Sequence, residues 1–267
     1  MNRSETSRLM SERNIRPKKS KGQNFLIDGR VASRHIEFAS IEPGDTVLEV
    51  GPGPGILTER LVDVCDRVIA IELDSALADH IEQRFGERIE LIRGDALNVP
   101  FPKFDRFVSN LPYSISTPII FKLLEHDFKK AVVMVQKEFA ERMVAGRGEV
   151  DYSRLTVNVY YRARCKVLEN VPASRFEPRP KVDSAIVEIE PRPAPFTVMD
   201  EGTFFKVVDA GFIHRRKKIR SALRTEGIVV PDDADVPFLD ARMETLSPED
   251  IGKLSDAVFM MRKDITD

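Results

Sequence analysis

Thr46-Val-Leu-Glu-Val50-Gly51-Pro-Gly53-Pro-Gly55 is the stretch on which the reading of this chain turns. A largely apolar run enters a turn with glycine at alternate positions, and Leu57–Val64 then carries apolar residues at helical spacing. A buried parallel strand, a tight turn and a helix account for that order. Glycine in such a turn lets the backbone approach a ligand closely and take conformations closed to other residues. By itself the turn also fits other nucleotide folds or a plain loop. Position 56 is Ile, where a dinucleotide fingerprint asks for glycine. An acid before a G-x-G-x-G turn suits a nucleoside ligand without a pyrophosphate better.

Outward from this unit the pattern repeats. Val68–Glu72, Ile89–Ile92, Phe107–Ser109 and Ala131–Val135 read as further buried strands, with helices over Ser75–Phe85 and Pro118–Glu125 between them. The alternation predicts a doubly wound α/β domain. Lys137–Ala145 and Arg154–Tyr161 read as helices of the same domain, and Lys166–Val171 and Ser184–Ile189 as two strands forming an antiparallel edge. The prolines of Phe176-Glu-Pro-Arg-Pro-Lys-Val182 argue against a regular element there. Pro191-Arg-Pro-Ala-Pro195 marks an extended connector. Beyond it helices are expected over Thr203–Arg224, with a break near Gly211, over Val236–Arg242, and over Pro248–Arg262 after a Ser247 cap. The domains are therefore a basic, flexible arm over 1–21, an α/β domain over 22–190, a Pro-rich linker over 191–202 and a smaller helical domain over 203–267.

A net charge of −2 hides local asymmetry. Seven basic residues face only Glu5 and Glu12 before position 22, and Gly211–Arg224 holds six Lys or Arg and no acid. Two basic blocks on a mildly acidic chain suit local polyanion contacts, although a solvated helix face and a loose tail are the plainer alternative. In the second block helical spacing places Phe212, Ile219 and Leu223 on one stripe and Arg216, Arg220 and Arg224 on the next. Arg215, Arg216, Lys217, Lys218, Arg220 and Arg224 are thus candidate contacts to such a polyanion. Cys65, Cys165 and the four histidines lack metal-ligand spacing, so no metal is expected. No apolar run approaches the roughly 20 residues of a membrane span, and the opening residues are too polar for a signal peptide. A cytoplasmic protein with no membrane association is the expectation.

Glu72 and Asp95 follow the second and third strands, at the carboxyl ends where such sheets bind ligands. The first can accept from ribose hydroxyls and the second from an adenine amino group. After the fourth strand comes Asn110-Leu111-Pro112-Tyr113. An exocyclic amine on adenine is a poor nucleophile because its lone pair is delocalised into the ring. The Asn110 oxygen and a backbone carbonyl held out by the Leu111–Pro112 step can accept its two N–H groups and localise that pair. Tyr113 can stack on the base. An ordinary turn is the alternative, weakened by its place in register with the other strand ends.

Gly22-Gln-Asn-Phe-Leu26, the glycine turn, Ile71-Glu-Leu-Asp74, Gly94-Asp-Ala96, Asn110–Tyr113 and Phe176-Glu-Pro-Arg-Pro-Lys-Val-Asp183 occur in one order. Together they resemble the KsgA-type ribosomal RNA adenine dimethyltransferases, a family that includes the erythromycin-resistance methyltransferases. The resemblance spans roughly Lys18–Leu223. It implies a Rossmann-like class I methyltransferase sheet, S-adenosylmethionine as methyl donor, and a monomer acting on small-subunit rRNA or its precursor particle. The expected reaction is dimethylation of N6 on two adjacent adenines in a hairpin near the 3′ end of that RNA. By the same resemblance Asn24 and Leu26 cover the donor, and Gly51 and Gly53 approach its methionine part. Glu72 meets the ribose and Asp95 the adenine. Asn110 touches donor and target, and Phe176 stacks opposite Tyr113. Ser114 stands where the family often has Asn, so no hydrogen bond is carried over to that position. A large-subunit resistance-type enzyme and a non-catalytic ribosome-assembly factor are the competing readings.

Overall fold

The computed structural model describes residues 3–12 and 23–266. Within them the chain forms α1 (Arg3–Glu12), β1 (Phe25–Leu26), α2 (Gly29–Ala39), β2 (Thr46–Val50), α3 (Thr58–Val64), β3 (Arg67–Glu72), α4 (Ser75–Phe85) and β4 (Glu90–Arg93). There follow β5 (Arg106–Asn110), α5 (Ser116–Leu123), β6 (Lys130–Gln136), α6 (Lys137–Val144), α7 (Arg154–Arg162), β7 (Ala163–Val171), β8 (Phe176–Glu177) and β9 (Ser184–Pro191). Helices α8 (Glu201–Ile213), α9 (Ile219–Thr225) and α10 (Pro248–Thr266) complete the order.

Seven strands form one sheet in the order β4-β3-β2-β5-β6-β9-β7. The pairs among β2 to β6 are parallel, and β9 returns antiparallel beside β6. Val47, Leu48, Ile69, Phe107, Val108, Val132 and Val133 are fully buried, because helices cover both faces and every side chain of a central strand meets apolar neighbours. The crossovers from β2 and β5 leave in opposite directions, which opens a crevice at their carboxyl ends. At the amino ends the buried Asp45 carboxylate clamps Arg106 (2.7 Å) and Lys129 (2.6 Å), fixing the starts of three strands.

The described chain divides into two compact units. The first spans 1–140 and 164–191, and the second 141–163 and 192–267. Residues 141–163, assigned from sequence to the α/β domain, therefore fold with the second unit. The reason is packing: Tyr152, Val157 and Tyr161 join Phe204, Val207, Ile251 and Leu254 in a single buried core. Tyr161 lies 4.9 Å from Phe204 and 5.2 Å from Phe196, ring centre to ring centre. Phe196 and Val198 of the Pro-rich stretch pack on that same core, so only its first residues serve as a connector.

Four further expectations are corrected. Residues 3–12 of the basic arm form a helix, and Met10 packs against Phe25 and Leu77; the remainder of the arm lies outside the described residues. A short strand, β8, forms just before the prolines and pairs Phe176 with Leu26 of β1. Residues 236–242 form turns, with a single 3-10 turn at Met243–Thr245. The helix after residue 200 runs through Gly211 and breaks at 214–218. A Cβ at Gly211 would lie 2.0 Å from the Met243 methyl, so this glycine serves close packing inside a helix rather than a break. Ser247 caps α10 as expected, accepting from the Asp250 N–H at 3.1 Å.

Candidate active site

Five loops meet at the carboxyl edge of the first unit's sheet. The glycine turn after β2 takes left-handed backbone at Gly51 and Gly53, with φ of 69° and 56°. Only glycine holds such angles without strain. A Cβ at Gly53 would also press on the Phe25 ring at 3.1 Å. The turn is tied to the next strand end twice: Gly51 N donates to Ile71 O (2.9 Å) and Gly53 N to Glu72 Oε2 (3.2 Å). Asp74 N donates to the other Glu72 oxygen at 2.8 Å. Glu72 is 5% exposed, and burial raises its pKa against those backbone hydrogen bonds. A carboxylate has about four lone-pair sites, so it retains acceptor capacity toward a pair of hydroxyls.

Glu49 lies deeper, 1% exposed, and accepts from Thr58 Oγ1 at 2.7 Å. Burial drives its pKa to about 8, with the negative charge of Glu72 acting in the same direction. Glu49 is therefore largely protonated at neutral pH.

After β4, the Asp95 carboxylate accepts from Leu97 N (2.9 Å) and Asn98 Nδ2 (3.2 Å), which closes a tight loop. Lys122, on α5, pins this loop from behind by donating to the carbonyls of Ala96 (2.8 Å) and Val99. Its ammonium also lies 4.3 Å from the centre of the Phe101 ring. A 3-10 turn at Tyr113–Ile115 leads from the Asn110–Tyr113 turn into α5, so that helix connects the turn to the Asp95 loop.

In the Asn110–Tyr113 turn, Leu111 N donates to Met134 O (3.1 Å) and the Leu111 side chain is buried. Asn110 Nδ2 donates to Asn24 O at 3.2 Å, which turns the amide oxygen away from that carbonyl. The Tyr113 hydroxyl shares a 2.6 Å hydrogen bond with buried Ser184 Oγ, and burial raises its pKa.

The sequence-selected residues come together in two adjoining cavities. Asn24, Leu26, Gly51, Gly53, Glu72, Asn110, Leu111, Pro112 and Tyr113 line one. Asp95 lines the second, about 320 Å³, together with Gly51, Glu72, Pro112 and Ser114. Phe176 differs from expectation. Its ring is 0% exposed within the first unit's core, because the β1–β8 pairing turns it inward, and it offers no open face to a base in this structure. Sequence reasoning also missed Leu73, a half-exposed apolar side chain in the Asp95 cavity. A leucine directly after the strand-end acid, inside the Ile71–Asp74 motif, was the available signal. Gln23, which lines both cavities, stood inside the Gly22–Leu26 motif, whereas Lys122 had no signal.

The basic block lies in the second unit. The break at 214–218 places Arg216 and Lys217 in a turn, so the predicted Arg216–Arg220–Arg224 stripe does not form. Ile219 and Leu223 are buried. Arg215 pairs with Glu244 (2.9 Å), Lys218 with Asp240 (2.9 Å) and Arg220 with Asp232 (3.1 Å). Arg216, Lys217, Lys218 and Arg224 are exposed. Among the described residues no cluster of His, Cys, Asp or Glu could hold a metal ion, and no helix is long and apolar enough to cross a membrane.

Comparison with known proteins points to one family from three directions. A family model described as ribosomal RNA adenine dimethylase matches residues 14–253. A protein of Methanosarcina acetivorans named probable ribosomal RNA small subunit methyltransferase A is 48% identical, covering 90% of this chain and 93% of its own length. The crystal structure of a dimethyladenosine transferase from Plasmodium falciparum aligns with a TM-score of 0.73 at 34% identity, covering 86% of this chain and 95% of that one. That of the 23S rRNA methyltransferase ErmE aligns at 0.66 and 27% identity, covering 88% and 100%.

Proposed function

The chain belongs to the ribosomal RNA adenine dimethylase family and is an rRNA methyltransferase; from that premise we propose that it uses S-adenosylmethionine to dimethylate N6 of two adjacent adenines in a hairpin near the 3′ end of small-subunit rRNA. The observation that carries this reading is the meeting of the Asn110 turn with the Glu72 carboxylate in one cavity, with Asp95 in the next. The name of the Methanosarcina relative supports the small subunit as target, and the motif resemblance supports the hairpin and the double methylation.

The residues present fit the donor. Glu72 is placed to accept from the two ribose hydroxyls and Asp95 from the adenine amino group. Leu73 supplies an apolar face for the adenine ring, and Gly51 and Gly53 leave room for the methionine part. When bound, the donor supplies an electrophilic methyl group on a positively charged sulfur.

The protein's own work is positioning. Asn24 O holds the Asn110 amide nitrogen, leaving the amide oxygen to accept one N–H of the target amine, with the Leu111 carbonyl accepting the other. Those two acceptors localise the nitrogen lone pair and aim it. Fixed dipoles of this kind favour the positive charge that develops on nitrogen, and holding the reactants in line removes most of the remaining barrier. No strong base is needed, because the amine proton becomes acidic once the methyl group has arrived. The target base must leave its stack to enter. Stacking on Tyr113, with its hydroxyl anchored by Ser184, contributes about 1–3 kcal/mol toward that cost. The exposed cations Arg216, Lys217, Lys218 and Arg224 supply phosphate contacts from the second unit, while Arg215 and Arg220 mainly hold that segment in shape.

The test is mass spectrometry of rRNA digests after incubating unmethylated ribosomal particles with purified protein and labelled donor. Two neighbouring dimethyladenines in small-subunit RNA are expected. Label confined to large-subunit RNA would favour the resistance-type reading, and no label at all would favour a non-catalytic assembly factor.

A further inference from the structure

An open recess of about 670 Å³ lies in the first unit outside the donor cavities, lined by Arg30, Arg34, Arg60 and Arg175 with Asp28 and Glu169 as its acids. Four arginines face two carboxylates, a surplus of two positive charges. Both carboxylates are engaged. Glu169 takes Arg34 in a two-pronged ion pair, its Oε2 2.7 Å from Nε. Asp28 accepts Arg175 Nη1 at 2.7 Å through one oxygen and caps α2 through the other, accepting from Arg30 N at 2.9 Å. Arg60 donates to Ser33 Oγ (3.2 Å) and Ile56 O (2.7 Å), and its Nη2 lies 2.8 Å from where a Cβ on Gly29 would stand. Its acidic neighbour Glu59, 3.6 Å away, is closer to Arg84, at 2.7 Å. These partners fix the guanidinium groups in place, and Arg30 is exposed at the rim.

The recess sits on the reacting edge of the sheet. Helix α2 feeds β2 through a short loop, so its first turn lies at the carboxyl end of the strands. Arg175 immediately precedes Phe176 of β8, whose partner β1 follows Asn24, the residue holding Asn110. From Asn24 to Asp28 is four residues, at most about 14 Å of chain. One short segment therefore links the carbonyl that holds Asn110 to the Asp28 end of the recess.

We propose that this arginine-lined recess binds a phosphodiester of the RNA strand flanking the target adenine, a polyanion subsite within the catalytic unit and distinct from the basic segment of the second unit. Planar guanidinium forks match phosphate oxygens in pairs, and a phosphate held there sets the register of the strand rather than reading its sequence. The proposal rests on the reading of the chain as an RNA adenine methyltransferase.

The test compares wild type with Arg30→Ala/Arg175→Ala and with Glu169→Gln, measuring affinity for a small-subunit hairpin RNA across a salt series and donor affinity by calorimetry. The double variant is expected to bind RNA about tenfold more weakly, with a salt slope shallower by about 0.7 for each phosphate no longer neutralised, and to bind donor as wild type does. Glu169→Gln, which adds net positive charge and leaves all four arginines, is expected to hold or tighten RNA binding and steepen the slope. Unchanged RNA affinity and slope in the double variant overturns the proposal. So does a variant that loses binding of inorganic phosphate but keeps its RNA affinity, since the recess then serves a free anion. If wild type itself transfers no methyl group to RNA, the proposed function fails first; transfer by wild type with an indifferent double variant sinks the recess alone.

Discussion

The donor rim of the first unit and the basic segment of the second both depend on charged side chains near element ends, and they differ in what fixes those side chains. At the rim, Glu72 and Asp95 sit at successive strand ends whose register is set by the sheet, and backbone N–H groups hold their carboxylates. In the basic segment the chain leaves its helix at residue 214, and ion pairs with Glu244, Asp240 and Asp232 decide where individual cations point. Sheet geometry makes a functional position readable from spacing. Side-chain pairing makes it depend on partners far along the chain.

The largest effect that would break this contrast is at Asn110. Asn110→Ala removes an acceptor that acts on the reacting nitrogen, so single-turnover transfer is expected to fall about 10²–10³-fold. RNA and donor affinities should stay within a few-fold of wild type. Transfer at the wild-type rate would remove Asn110 from the chemistry.

Lys122 sharpens the comparison, because it holds a rim loop by a side chain. Lys122→Met is expected to weaken donor binding about tenfold, the loss of roughly one charged hydrogen bond of about 1.5 kcal/mol. Ligands that lack the adenine ring should bind as before. Equal losses for both ligand types would mean that the substitution disturbs the unit generally rather than the Asp95 loop.

In the second unit the exposed and paired arginines should separate. Arg216→Ala with Arg224→Ala is expected to weaken RNA binding about fivefold and flatten its salt dependence, with thermal stability unchanged. Arg220→Ala, which removes a partner of Asp232 and of the Val230 carbonyl, is expected to lower thermal stability by more than the double substitution does. The reverse pattern would mean that Arg220 is the RNA contact.

A last contrast, read in stability rather than in binding or transfer, concerns Glu49. Its folded pKa of about 8 lies above its ordinary 4.5. The protonated folded form therefore contributes stability fully present below 4.5 and lost as pH rises through 8. In donor-free protein the urea midpoint of wild type should fall more between pH 5 and 8.5 than that of Glu49→Gln, which keeps the Thr58 contact and cannot ionise. Parallel pH profiles would contradict a buried protonated Glu49.

What sequence revealed follows the same division. The strands from Thr46 to Val135 stand within a few residues of their expected places because buried parallel strands must be apolar on both faces. The glycine turn, Glu72, Asp95 and Asn110 could then be placed at strand ends, with their expected roles coming from residue chemistry and the family resemblance. Phe176 was legible as a loop aromatic but not as a core residue, because its burial comes from pairing with Leu26, far away in sequence. The membership of residues 141–163 in the second unit depends on long-range packing of Tyr152 and Tyr161, which leaves no local periodicity to read. The Arg216–Arg220–Arg224 stripe assumed an unbroken helix, and no glycine or proline marks the break at 214–218.

The measurement that bears most directly on the account is a crystal structure with S-adenosylmethionine, or a non-reactive analogue, soaked into the protein. The ribose is expected on the Glu72 carboxylate, the adenine against Leu73 and Asp95, and the methyl-bearing sulfur facing an open Asn110 turn. A donor bound away from those two carboxylates, or a turn closed to solvent beside it, would contradict the account.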